Sequence, residues 1–169
     1  QRFSFNQEQK EQLMIIANQV SLALENTRLH RKTKLMAWHD PLTGLYNRNY
    51  LNIFLSVVKD NNEKHLGCML FDLDHFKKIN DNYGHITGDL VLKNTAAVLS
   101  KHTTTGRIAL RYGGEEFMIL GLNCSAEELF ALAQTIKNEI AALRFRANEG
   151  EEFSITISGG IAVSTPEDT

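Results

Sequence analysis

The chain has 169 residues, 43% of them hydrophobic, with 18 Lys and Arg against 20 Asp and Glu. That length suits one domain with a proper core plus a short extension, and a net charge of -2 offers no overall basic surface for nucleic acid or an anionic membrane. No apolar run approaches the ~18 residues of a membrane-spanning helix, no signal-peptide pattern opens the chain, and two isolated cysteines, Cys68 and Cys124, form no disulfide framework, which suits a reducing cytoplasm. The first residue is Gln1 rather than Met, so a piece of a longer protein is expected.

Residues from about Asn6 to Ala37 read as one long helix. Leu13, Ile16, Ala17, Val20, Leu24 and Thr27 recur at helical spacing, and no Gly or Pro interrupts. Leu22, Leu29, Leu35 and Met36 lie off that stripe, so more than one face calls for burial. Such a helix needs a domain or a partner helix. Running straight into a globular domain, it suggests a parallel coiled-coil connector, although Arg31, Lys32 and Lys34 interrupt a strict heptad. Pro41 ends the helix near His39. Asp40-Pro41-Leu42-Thr43-Gly44 is a turn in which Pro presets φ and Gly relaxes it.

The globular domain starts there. A helix is predicted over about Arg48 to Lys59, then a strand 66–73, a short helix 75–82 and a longer helix 87–101 with Leu90, Val91, Asn94 and Val98 on one side. Hairpin strands follow at 107–112 and 116–121. The next helix carries Leu129, Leu132, Ile136, Ile140 and Leu143, with Ser125 as its cap and Glu127 and Glu128 near its positive end. A last strand is expected over 153–163. The order α-β-α-α-β-β-α-β predicts an α/β (α+β) fold, a mixed, mostly antiparallel sheet flanked by helices and preceded by the long N-terminal helix.

Two segments carry chemistry. Arg111-Tyr112-Gly113-Gly114-Glu115-Glu116-Phe117 sits between apolar runs and reads as a β-hairpin, with Gly-Gly expected to supply the positive φ of a tight turn. Its tip presents two carboxylates. Upstream, the apolar run from Leu66 ends in Asp72-Leu73-Asp74, and strand alternation sends both aspartates to one face. A carboxylate at the end of a buried strand, facing a carboxylate hairpin, suits Mg²⁺, which favours a few carboxylates plus substrate phosphates. Asp74 serves equally well as a cap for the following helix.

The stretch Phe71-Asp72-Leu73-Asp74-His75-Phe76-Lys77-Lys78-Ile79-Asn80-Asp81 through Gly88-Asp89, followed by Arg111 to Phe117, resembles the GGDEF family of diguanylate cyclases. Asp40-Pro41-Leu42-Thr43-Gly44-Leu45-Tyr46-Asn47-Arg48 is similar to the family's opening motif, and Ile155 to Ala162 to its late strand. The four motifs stand in order over residues 38–165. The resemblance implies a ferredoxin-like nucleotidyl-cyclase core at 38–169, behind a signalling helix at 1–37. It further implies condensation of two GTP into cyclic di-GMP with release of pyrophosphate, by two domains facing each other as a homodimer held through the N-terminal helix, under an upstream sensor. Mg²⁺, or Mn²⁺, would sit on Asp72, the Leu73 carbonyl and Glu115, and Glu116 would bind metal or activate the attacking hydroxyl. Asn80 and Asp89 would recognise guanine, while His75, Phe76 and Lys77 would meet phosphate at a helix start. Gly114 would let nucleotide approach the backbone, without excluding a plain turn role for Gly113-Gly114. Either as an ordinary amphipathic helix or as the end of a GAF sensor domain, the segment from Phe3 to Leu29 is accounted for.

The sequence departs from the family in two places. Thr104 and Arg107 stand where many members carry the Arg and Asp of a product-inhibition site, so no such site is expected. The chain also stops at Thr169, before a further family helix with triphosphate-binding basic residues, so a truncated catalytic domain is expected. Two other functions compete: a regulatory module that binds GTP without turnover, and a pure interaction domain with an accidental acidic hairpin.

Overall fold

One uninterrupted helix, α1 (Gln7–Trp38), opens the structure. Asn6 and Gln9 cap it reciprocally: Gln9 N–H donates to Asn6 Oδ1 at 2.8 Å, and Asn6 N–H to Gln9 Oε1 at 3.0 Å. A computed structural model describes residues 6–60, 65–147 and 150–164, in two compact units that meet between Ala37 and Trp38. The large aliphatic residues of α1 are exposed, from Leu13 at 47% to Met36 at 72%. No helix among the described residues is long and apolar enough to cross a membrane.

The second unit is built on a five-stranded sheet. Its elements are β1 (Tyr46–Asn47), α2 (Arg48–Asp60), β2 (Leu66–Leu73), α3 (Phe76–Lys101), β3 (Arg107–Arg111), β4 (Glu116–Leu122), α4 (Ala126–Ala141), β5 (Phe145–Arg146), β6 (Glu152–Phe153) and β7 (Ile157–Val163). The strand order is β1-β3-β4-β2-β7, with only β1 and β3 parallel. The fold is therefore the expected mixed, mostly antiparallel sheet with flanking helices.

Alternation along β2 buries Gly67, Met69, Phe71 and Leu73 and leaves Leu70 and Asp72 exposed. The buried set joins Leu129, Ile136 and Ile140 of α4 and Val91, Leu92, Ala96 and Leu99 of α3 in one core. Full burial of each large side chain contributes about 1.5–3 kcal/mol, which fixes the strand's register: a one-residue slip would expose all four. Gly67 lacks a side chain because Leu129 occupies the place a Cβ would take, so α4 packs directly on the strand.

One local expectation holds and two need correction. The two helices expected at 75–82 and 87–101 are both present, as the two halves of α3 on either side of Gly84, whose φ of 81° and ψ of 162° lie outside helical space and suit glycine. The buried stripe after this kink is Val91, Leu92, Thr95, Ala96, Val98 and Leu99, while Leu90 is 46% exposed and Asn94 donates back to the Leu90 carbonyl. The strand expected over 153–163 is two: β6 pairs with β5, where Phe153 stacks between Tyr83 and Phe145, and only β7 enters the main sheet. The two-residue strands β1 and β5 have no periodicity by which sequence could announce them.

The start of α4 is as expected: Glu128 N–H donates to Ser125 Oγ at 3.2 Å and Ser125 N–H to Glu128 Oε2 at 2.9 Å.

Candidate active site

The site is assembled at one end of the central strands. In the β2–β4 ladder Asp72 lies opposite Glu116, and in the β2–β7 ladder it lies opposite Ser158. Directly opposed residues share a face of the sheet. One step on, the Leu73 amide donates to the Glu115 carbonyl at 3.3 Å, drawing the hairpin tip against the end of β2. The Leu73 side chain is buried at 1% exposure, so only its backbone is open to a ligand.

The hairpin turns without help from positive φ. The described glycines with positive φ are Gly44, Gly84 and Gly150, so the expectation for Gly113-Gly114 is overturned. The Tyr112 and Gly113 amides instead close the loop, both donating to the Glu116 carbonyl, at 2.8 and 3.2 Å. Gly113 gives the Glu116 carboxylate room: that group lies where a Cβ would be, and a larger residue would push the flexible Glu116 side chain aside. Gly114 faces open space, with nothing within 4 Å of a Cβ placed there.

Arg111 braces the tip from behind. Its Nε and Nη2 donate to the Gly114 carbonyl at 3.2 and 2.7 Å, and its Nη1 reaches both Asp40 oxygens at 3.1 and 3.2 Å. Asp40 in turn accepts from the Thr43 amide and hydroxyl at 2.8 and 2.7 Å. Burial opposes ionisation of Asp40, but the Thr43 hydroxyl and amide and the Arg111 guanidinium together hold its carboxyl below the usual value. Sequence reasoning missed this brace; the Asp-Pro-Leu-Thr pattern of a side-chain turn is the signal that could have revealed half of it.

Electrostatics favour a cation here. Burial, then the neighbouring Asp72 and Glu116 charges, push the Glu115 carboxyl above its ordinary value. The ion pairs among the described residues leave all three carboxylates without a cationic partner. No group of three or more His, Cys, Asp or Glu side chains among the described residues is arranged to hold a metal by itself. Two carboxylates and a backbone carbonyl would leave positions for substrate oxygens, a pattern that fits Mg²⁺.

Asp74 stands apart. It follows the last residue of β2, its amide bonds to the Thr156 carbonyl, and its carboxylate accepts from the Thr156 hydroxyl. Hydrogen bonds from Thr156 and Ser158 hold its pKa down. The capping reading of Asp74 is therefore wrong: the N-cap of α3 is His75, in left-handed backbone with φ 60° and no side-chain cap. His75 and Lys77 are exposed at this helix start, whereas Phe76 is in the core and offers only backbone.

The Gly84 kink returns the chain so that Asn80 meets Gly88. The Asn80 side-chain oxygen fills the place of a Gly88 Cβ, beside the exposed Asp89. Asn80 is thus inside its helical segment and not at the end of it. At the departing positions, Thr104 and Arg107 form a tight turn with reciprocal backbone bonds of 2.9 and 3.1 Å, and Arg107 Nη1 donates to the His102 carbonyl at 3.3 Å.

A ferredoxin-like sheet in which an inner strand ends in a carboxylate beside an acidic hairpin is the pattern of a nucleotidyl-cyclase class of domain. Comparison with known proteins narrows this. The family described as "Diguanylate cyclase, GGDEF domain" matches residues 37–169, and the chain belongs to that family. It is 37% identical over 139 residues to the probable diguanylate cyclase DgcT of Escherichia coli, covering 79% of this chain and 30% of DgcT. It is 42% identical over 125 residues to the diguanylate cyclase DgcP of Pseudomonas aeruginosa, covering 72% of this chain and 18% of DgcP. The chain thus spans less than a third of either relative. Among solved structures, the coiled coil and GGDEF domain of DgcB from Caulobacter crescentus, in complex with c-di-GMP, superposes with a TM-score of 0.82 at 28% identity, covering 92% of this chain and 84% of that one.

Proposed function

We propose that this chain is the catalytic part of a bacterial diguanylate cyclase, condensing two GTP into cyclic di-GMP and two pyrophosphate. The observation that carries this reading is the complete Gly113-Gly114-Glu115-Glu116 tip, hydrogen-bonded beside Asp72, with the three carboxylates lacking a protein cation. Asp72, Glu115 and the Leu73 carbonyl would hold Mg²⁺ or Mn²⁺. When bound, such an ion neutralises phosphoryl charge and activates the ribose 3′-hydroxyl.

The remaining steps belong to the chain's own groups. Glu116, lodged over Gly113, either completes the metal site or accepts the hydroxyl proton. Asn80 and Asp89 would pair with the guanine edge: a carboxylate accepts from N1–H and the 2-amino group, a donor pair that adenine lacks. The amides at the start of α3, with His75 and Lys77, would meet phosphate, and Gly114 would leave room for it. One such site holds one GTP, so turnover needs two domains face to face. The exposed apolar stripe of α1, within the signalling segment 1–37, would pair two copies as a coiled coil and pass on the state of an upstream sensor, of which the helix would be the terminal part if that sensor is a GAF domain. Catalytic residues would then occupy 38–169. Free thiols at Cys68 and Cys124 suit the cytoplasm.

Incubation of the protein, extended beyond Thr169 in its native sequence, with GTP and Mg²⁺ tests this. Cyclic di-GMP from the unmodified protein and none from Glu115→Gln is the expected result. Metal-dependent GTP binding without product would transfer the reading to a regulatory module. Absence of GTP binding would sink both.

A further inference from the structure

Asp74 lies between the end of β2 and the start of α3, and α3 does not hold it. The first bonds of that helix run to the His75 carbonyl, from the Lys78 amide at 2.9 Å and the Ile79 amide at 3.4 Å. Asp74 is held from β7 instead. Its amide donates to the Thr156 carbonyl at 3.0 Å, and its carboxylate accepts from the Thr156 hydroxyl. One threonine thus takes both the backbone and the side chain of Asp74. Thr156 is itself anchored between Ile155 and Ile157, which are 3% and 1% exposed, and Ile157 pairs with Leu73 in the ladder. The Ser158 hydroxyl adds a further bond to the Asp74 carboxylate.

The Asp74 amide and the Leu73 carbonyl belong to one peptide unit. No described peptide is cis, and in a planar trans unit N–H and C=O point in opposite directions. Strand β2 lies between β4 and β7. An Asp74 N–H aimed at Thr156, on the β7 side, therefore turns the Leu73 carbonyl to the β4 side. The Leu73 amide points that way too, donating to the Glu115 carbonyl at 3.3 Å. Rotation about the Leu73 ψ bond would swing the carbonyl off this direction, and the bonds to Thr156 oppose that rotation.

We infer that Asp74 and Thr156 are positioning residues: together they lock the Leu73–Asp74 peptide and so aim the Leu73 carbonyl toward the acidic hairpin. The inference rests on the reading of Asp72, Leu73 and Glu115 as a site for Mg²⁺ or Mn²⁺. The same bonds draw the Asp74 carboxylate toward β7, leaving Asp72 and Glu115 as the charged ligands. Groups that orient a ligand from behind typically change metal affinity about 10- to 100-fold when removed.

Titration of the nucleotide-free protein with Mn²⁺, followed by the electron paramagnetic resonance of the free ion, tests this, with Tm in chelator as a second readout. Thr156 is exposed, so its substitution leaves the core untouched. Thr156→Val keeps the β-branched shape and removes the donor; its Mn²⁺ dissociation constant is expected to rise about tenfold. Thr156→Ser keeps the hydroxyl and is expected to bind as the parent does. Asp74→Asn keeps an oxygen for that hydroxyl and is expected to weaken binding less than Thr156→Val. A lower Tm in Thr156→Val with unchanged Mn²⁺ affinity would make the pair a plain structural tie and overturn the inference. An Asp74→Asn variant that loses more affinity than Thr156→Val would make Asp74 a ligand in its own right and also overturn it. Glu115→Gln is the control. If it leaves Mn²⁺ binding unchanged, the metal reading fails and the inference with it; if it weakens binding and Thr156→Val does not, only the inference fails.

Discussion

Arg111 and Asp40 are 71 residues apart in sequence, yet one guanidinium nitrogen lies 3.1 and 3.2 Å from the two carboxylate oxygens. The same guanidinium grips the Gly114 carbonyl through its other nitrogens. The domain's first turn and its acidic hairpin are thereby joined by one side chain. Side-chain exposures of 16% and 18% keep the pair largely out of solvent.

Arg111→Lys keeps the charge but loses the fork that reaches two acceptors at once. It is expected to lower kcat about 10- to 100-fold through a looser tip, with a smaller change in GTP KM. Asp40→Asn leaves Arg111 with one weaker acceptor and is expected to cost about 1–3 kcal/mol. Because Asp40 ionises more readily folded than unfolded, its contribution is present above the ordinary value of 3.8 and disappears as pH falls through the lower folded value. Thermal melts should show a shallower acid limb in Asp40→Asn than in the unmodified protein; parallel limbs would refute the assignment.

Glu115 has the opposite sign. Its carboxyl is harder to ionise folded than unfolded, so the metal-free protein loses stability as pH rises through the ordinary range and the group charges. After solvent screening the effect is a few tenths of a kcal/mol. Glu115→Gln should therefore raise the metal-free Tm by about 1–2 °C while abolishing turnover and weakening Mn²⁺ binding. Calorimetry in chelator, set beside a metal titration, checks both. A lowered Tm would mean that Glu115 has a stabilising partner.

Gly113 and Gly114 separate by substitution. Gly113→Ala puts a methyl where the Glu116 carboxylate lies, and is expected to displace that group and lower kcat with little loss of stability. Gly114→Ala meets nothing within 4 Å, so its Tm should stay within about 1 °C of the parent. Any rise in its GTP KM then reports how closely nucleotide approaches the backbone.

Gly88→Ala tests the Asn80 position without touching it. The new methyl collides with the Asn80 side-chain oxygen and lies 3.3 Å from the Phe76 ring. If Asn80 contacts the base as proposed, GTP KM is expected to rise about tenfold or more, because a shift of about 1 Å in such a group is costly. Asp89→Ala should reduce the preference for GTP over ATP. An unchanged preference in competition binding would remove Asp89 from base recognition.

Much of the fold was legible because periodicity and punctuation coincide. The strand Leu66–Leu73 alternates, α4 opens on a Ser-x-x-Glu capping box, and Pro41 and Gly44 mark the boundary turn, where Gly44 has φ 74°. That the acidic hairpin lies beside the end of the Asp72 strand was expected from the sequence, and the ladder places Asp72 opposite Glu116. The left-handed His75, the two-residue strands β1 and β5 and the split of the last strand were not legible, because each depends on partners far away in sequence.

Sequence by itself determined the elements and the identity of the carboxylates, through local rules: alternation, helical spacing, caps and breakers act over a few residues. Tertiary structure alone decided that Asp72 opposes Glu116, that Gly113 makes room rather than a turn, that Asp74 turns away to Thr156, and that Arg111 ties the tip to Asp40. The physical reason is register. Once burial of Met69, Phe71 and Leu73 fixes how β2 lies against β4 and β7, every polar group at the end of those strands acquires its neighbour, and no local pattern encodes which one.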